Sequence, residues 1–180
     1  MNEKTFASFG IVGPIIVYLS IGVSIMFSPW FSWHRNALSD LGHVLKSEIA
    51  PIFNLGLLFG GFLLMVYAVT VFREHAKYTS VCLVASSFLL QLIATFDEAY
   101  GLIHGVVSVL FFVSIWIASL VNAIEKKSLK ALMAFIVSFG IWVLYAMKVY
   151  SAGIAVPEII SFTAVAALLM LSAIRIYSKK

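Results

Sequence analysis

Residues able to move protons or hold a metal are scarce in this chain, and several of them sit close together. The stretch Asn36-Ala-Leu-Ser-Asp-Leu-Gly-His43 carries four polar groups in eight positions. If residues 36–45 wind as an α-helix, Asn36, Ser39, Asp40 and His43 fall at i, i+3, i+4 and i+7 on one face, with Leu38, Leu41 and Leu45 opposite. A solvated helix face is usually built from Lys and Glu. This face offers short groups of defined geometry, the types that bind ligands and metals or transfer protons. A second group lies in Thr95-Phe-Asp-Glu-Ala-Tyr-Gly-Leu-Ile-His104, which supplies Asp97, Glu98 and His104, with Ser108 one helical turn further on. Glu158, after Pro157, is a third position on the same side of the chain's path.

Two imidazoles and several carboxylates suggest hydrolytic chemistry. Catalytic zinc takes three protein ligands and keeps an open position for water. The expected ligands of such a zinc-like divalent metal are His43, Asp97 and His104, with Asp40 as base or orienting group. A metal-bound water becomes a nucleophile near neutral pH. Ser39 would then hydrogen-bond a substrate oxygen. A metal-free acid–base pair of His43 and Asp40 is the alternative. A substrate entering sideways from a bilayer would be a lipid or isoprenoid.

Each of these residues also has a plainer reading. The 36–45 helix could simply turn its polar face to water. His104 could be a structural histidine bonded to Asp97 or to a backbone carbonyl. Asp97 and Glu98 sit at a helix C-terminus, where negative charge opposes the dipole, so their presence needs another reason. Glu158 in the first turn after a proline is an ordinary helix-start acid. Ser87, Gln91, Thr95 and Glu98 form a polar stripe of the kind that glues helices together in membranes.

The elements that must position these groups are apolar. The chain of 180 residues is 62% hydrophobic and 11% charged, whereas soluble domains carry about 25% charged residues. Apolar runs approximately at 7–28, 49–72, 79–95, 102–124, 131–149 and 156–177 are each long enough to cross a bilayer. The expected fold is an all-α integral membrane protein: a single six-transmembrane-helix bundle over 1–180, with a short amphipathic helix between spans 1 and 2. The first apolar run is longer than a secretory h-region and lacks an A-x-A cleavage site, so it reads as a retained helix. The lone Cys82 precludes an intrachain disulfide.

Lys4, Arg73, Lys77, Lys126, Lys127, Lys130, Arg175, Lys179 and Lys180 fall on one side, and Arg35, Lys46 and Lys148 on the other. The positive-inside rule then places both termini in the cytoplasm, with the first, third and fifth connections outside. The net charge of +4 reflects basic loops rather than nucleic-acid binding. Gly56-Leu-Leu-Phe-Gly60 is a G-x-x-x-G, a close-packing face within the chain or between two copies of it.

Ser39-Asp40-Leu41-Gly42 followed by Pro51, Asn54, Gly56 and Gly60 resembles the S-[DE]-L-G…P…N-x-G…G pattern of the DUF998 family of membrane proteins. Phe96-Asp97…His104 resembles that family's F-P-x-D…H segment, without its proline. The resemblance implies a six-helix fold and special roles for Ser39, Asp40, Asp97 and His104; it supplies no reaction. A looser likeness links Ser39, Asp40, His43 and His104 to the membrane hydrolases that include alkaline ceramidases and adiponectin receptors. Their zinc-holding H-x-x-x-H in the last helix has no counterpart here.

Three functions follow as expectations. An interfacial enzyme acting on a lipid needs the clusters to converge around a metal or an acid–base pair. A lipid- or ligand-binding, sensing or assembly protein needs a cavity beside them. A small transporter or channel subunit needs a polar route through the other half of the bundle.

Overall fold

The computed structural model describes residues 2–178, and Lys179 and Lys180 of the basic tally lie outside them. Six long helices form the bundle: α1 (Glu3–Met26), α2 (Ala50–His75), α3 (Lys77–Thr95), α4 (Leu102–Glu125), α5 (Leu129–Ala146) and α6 (Ala155–Tyr177). Each is long and apolar enough to span a membrane, so this is a multi-pass membrane protein. Within α2, residues Ala68–Phe72 form a π-helical turn. Ser80 on α3 donates to the Ala68 carbonyl there at 2.7 Å.

The helices run up and down in sequence order. Each packs on the next, and α6 returns to close on α1, so the six form a ring. Such neighbours need only short connections. At the end that holds both termini the links are short: residue 76 between α2 and α3, and residues 126–128 between α4 and α5. The opposite end carries all the longer links, residues 27–49, 96–101 and 147–154. That asymmetry puts the polar motifs on one end of the bundle.

Close approach of α1 and α2 depends on small residues. A Cβ on Gly56 would strike Ser20, and one on Gly60 would strike Val17 and the Gly13 carbonyl. Gly61 similarly lies against Gln91 and the Ser87 carbonyl of α3. The G-x-x-x-G face is therefore consumed inside the chain. Of the two expected roles of this face, packing within the chain is the one that Gly56 and Gly60 fill against α1. Two residues of the polar stripe of α3 bond their own helix backbone. Gln91 donates to the Ser87 carbonyl at 3.1 Å, and Thr95 to the Gln91 carbonyl at 2.9 Å.

Candidate carboxyl site and lateral groove

The first connection folds over the end of the bundle. Leu38–Gly42 form a 3-10 helix, not the α-helix expected over 36–45; Ala37 and His43 on either side have extended backbone. Leu38, Leu41 and Gly42 are buried beneath it. Three tertiary ties override the longer α-helical pattern. Asn54 of α2 donates to the Gly42 carbonyl at 2.9 Å, and a Cβ on Gly42 would lie 2.5 Å from Asn54 Oδ1. The Asn36 carbonyl accepts from Ala155 N at 3.0 Å, and the Trp33 carbonyl from Gly153 N at 2.8 Å. Gly153 has no room for a side chain: a Cβ there would meet the Asn36 and Trp33 carbonyls at 2.7 and 2.9 Å.

Short helices leave their first N–H groups without partners. Here two carboxylates take them. Asp40 Oδ2 reaches back to accept from Ala37 N at 3.0 Å and also from Asn36 Nδ2 at 2.7 Å. Glu158 Oε2, on the first turn of α6, accepts from Leu38 N at 2.6 Å. Glu158 thus caps a helix 120 residues away in sequence as well as opening its own.

Glu98 completes the cluster, facing Asp40. Two ionised carboxylates are both acceptors and cannot bond to each other; one proton between them makes the bond. Burial, then the hydrogen bond and negative charge of Asp40, push Glu98 up to about 7. Burial opposes the charge of Asp40 as well, but bonds from Glu98, Asn36 and the Ala37 amide outweigh it and hold its carboxyl below the usual range. Below about pH 7 the pair is therefore a carboxylic acid beside a carboxylate, with Lys46 adding positive charge nearby.

The other expected site residues have separate duties. Asp97 is buried and caps the short 3-10 turn Glu98–Tyr100, accepting from Ala99 N at 2.8 Å. That capping is the reason its position after α3 required. His104 donates from Nδ1 to the Phe96 carbonyl at 2.8 Å, because a carbonyl can only accept. Its Nε2 then stands 3.3 Å from Ser108 Oγ as acceptor. The ring ties the start of α4 to the end of α3. His43 is buried, and its Nδ1 accepts from Leu45 N at 3.3 Å.

The expected metal ligands His43, Asp97 and His104 sit in separate turns. Among the described residues no three His, Cys, Asp or Glu side chains are placed to hold one metal ion. His43, Asp97 and His104 are each bound into a different turn by backbone bonds. His43 does not line the cavity that His104 lines.

That cavity is a groove of about 420 Å³. Its polar end is formed by Ser39, Glu98, His104, Ser108 and Glu158, and its walls by Val109, Phe112, Val113, Trp116 and Trp142. It lies between α4 and α5, where the Phe112 and Trp142 rings meet at 4.8 Å between centroids, tilted by 57°. A smaller void of about 60 Å³ beneath the 3-10 helix shares Ser39, Ser108, Phe112 and Glu158 with it. The sequence pattern pointed to Ser39, Glu98, His104, Ser108 and Glu158, but not to Gly105, Phe112, Trp116 or Trp142. Aromatic residues inside an apolar span look like core, and only the packing of α5 shows that they wall a groove.

No curated protein and no solved structure matches the chain. The model of a family described as "Protein of unknown function (DUF998)" matches residues 11–175, nearly its whole length. With its S-D-L-G turn held by Asn54 and its six spans, the chain belongs to the DUF998 family.

Proposed function

We propose that the protein binds a lipid-like amphiphile in the groove between α4 and α5, with the polar head against the carboxyl cluster. The observation that carries this reading is the groove itself. A volume of about 420 Å³ joins five polar side chains at one end to aromatic and aliphatic walls at the other. Sites for small molecules span about 300–1,000 Å³ and combine apolar walls with a few placed polar groups. No Lys or Arg lines the groove, while two acids do. The head it suits is an amine or a hydroxyl-rich group that donates to carboxylates, not a phosphate.

Gly105 gives the test. It lines the groove, and a Cβ there would meet nothing within 4 Å. Gly105→Phe therefore adds a ring at the groove from a position where a Cβ meets no neighbour. Organic extracts of purified wild-type protein are expected to contain a near-stoichiometric amphiphile that is depleted from the variant. Equal lipid content in the two folded proteins would refute the reading.

A second reading is favoured by the proton shared between Glu98 and Asp40. Paired carboxyls whose environments push their pKa values apart are the usual acid and base of hydrolytic sites. Glu98 lines the groove and would donate its proton to a leaving group on the bound amphiphile while water attacks the bond that breaks, the water's proton returning to the Glu98–Asp40 carboxyl pair. Such turnover would fall as pH rises through about 7, where Glu98 loses its proton. Binding without turnover at any pH would leave only the first reading.

We further infer that the termini face the cytoplasm and the groove opens near the outer surface. The support is the excess of Lys and Arg at the terminal end of the bundle. Paired alkaline phosphatase and fluorescent protein fusions at the C-terminus would decide the side.

A further inference from the structure

At the end of the bundle opposite the carboxyl cluster lies a second pocket, of about 350 Å³. Three separate segments surround it: the corner between α2 and α3, the link between α4 and α5, and the last turns of α6. Lys126, Lys130 and Arg175 line it, and among the described residues no carboxylate does. Glu125, the acid next in sequence, is committed elsewhere. It accepts from Tyr78 N, Thr79 N and Thr79 Oγ1 at 3.0, 2.8 and 2.6 Å, closing the N-terminus of α3. Lys126 Nζ donates to the His75 carbonyl at 2.7 Å, which holds that ammonium at the rim. The pocket is thus a concave site of positive charge without its counter-charge.

Its remaining walls are mixed, with His75, Asn122, Ser128 and Ser172 beside the apolar Phe72, Leu168, Leu171 and Ile176. Leu168 and Leu171 of α6 line it, and Leu171 with Ile174 continues onto the exposed face of that helix. A free anion would use the polar donors but gain nothing from that apolar face. A lipid would lay its chains along it. Basic pockets between transmembrane helices near a membrane surface are suited to anionic headgroups. We propose that this pocket binds the phosphate headgroup of an anionic membrane lipid, with Lys126, Lys130 and Arg175 as its charge partners. It is distinct in place and in charge from the groove at the other end.

Lys130 and Arg175 are exposed, so neutralising them leaves the packing intact. Native mass spectrometry of the detergent-purified chain, titrated with phosphatidylglycerol and with phosphatidylcholine, reads the binding directly. The expected result is preferential retention of phosphatidylglycerol. Each neutralised cation should weaken retention by about fivefold, as for a basic residue at an anionic surface. The Lys130→Gln/Arg175→Gln protein then loses most of it, whereas Lys4→Gln/Lys77→Gln, with both changes outside the pocket, keeps it. Arg175→Lys conserves the charge and should retain the lipid, so a folding failure in the double variant would not mask the answer. Equal loss in the two double variants would mean diffuse surface charge and overturn the site. Calorimetric titration with sodium phosphate tests the other source of the same chemistry. Phosphate binding that Arg175→Gln abolishes, with no preference between the two lipids, would overturn the lipid assignment.

Discussion

Glu98 and Asp40 show how one proton can organise a site. Glu98 in the folded protein keeps its proton up to about 7, against 4.5 for an unperturbed glutamate. A folded pKa raised in this way contributes stability that is fully present below about pH 4.5 and is lost as pH rises through about 7. Glu98→Gln keeps a neutral donor beside Asp40 at every pH. We expect the wild type to melt at a lower temperature at pH 8 than at pH 5 in detergent, and the variant to lose less over that interval. Parallel profiles for the two proteins would show that the proton is not shared. Asp40→Ala removes the acceptor for Asn36, for the Ala37 amide and for Glu98 together. Leaving buried donors unpaired costs about 1–3 kcal/mol per group, so this variant should unfold at markedly lower temperature than Asp40→Asn, which keeps one acceptor oxygen. Matching melting points would mean that the 3-10 turn needs no such acceptor.

The elements around the site are held by contacts at which small residues are required. On α2, Gly60 lies against Val17 and the Gly13 carbonyl of α1. Gly60→Leu overfills that seam and should cost about 1–3 kcal/mol, read as a lower melting temperature. The loss should not depend on protein concentration, because the seam is within one chain. Gly22, where a Cβ meets nothing within 4 Å, is the control, and Gly22→Ala should be neutral or slightly stabilising. The 3-10 helix is pinned in the same way. Gly42→Ala pushes its Cβ against Asn54 and Phe53, whereas Asn54→Ala only deletes one hydrogen bond. The glycine change is expected to destabilise more, and it should also raise hydrogen exchange of the Leu38–Gly42 amides. The reverse order would mean that the turn is fixed by the bond and not by the packing.

At the scale of the whole molecule, an even number of spans returns the chain to its starting side. Lys4 Nζ lies 6.0 Å from the centre of the Tyr177 ring, which places the two ends together. Single cysteines placed near the two termini, in a background without Cys82, should therefore react with a membrane-impermeant maleimide from the same side. Labelling from opposite sides would break the six-span ring. The two ends of that ring differ chemically. One carries the long connections and a cluster of acids, the other short turns and a basic pocket without acids. The bundle thus holds two distinct polar surfaces, separated by its apolar middle.

Hydropathy alone determined the number of spans, because the bilayer thickness sets how many apolar residues a crossing helix needs. The six apolar runs agree with the six helices to within a few residues at each boundary. Residue type and spacing also picked out Asn36, Ser39, Asp40, Glu98, His104 and Glu158 as unusual for so apolar a chain. Their partners were decided only by the fold. Helical periodicity set Asp40 with His43 on one face, but docking on Asn54 and α6 turned the segment into a 3-10 helix and set Asp40 against Glu98. Glu158 looked like an acid at the start of its own helix, and became the cap of another because the ring closes α6 against the first connection. His43, Asp97 and His104 looked like metal ligands. Each proved to be held by its neighbouring backbone, since a helix end buried near a membrane must satisfy its own N–H and C=O groups.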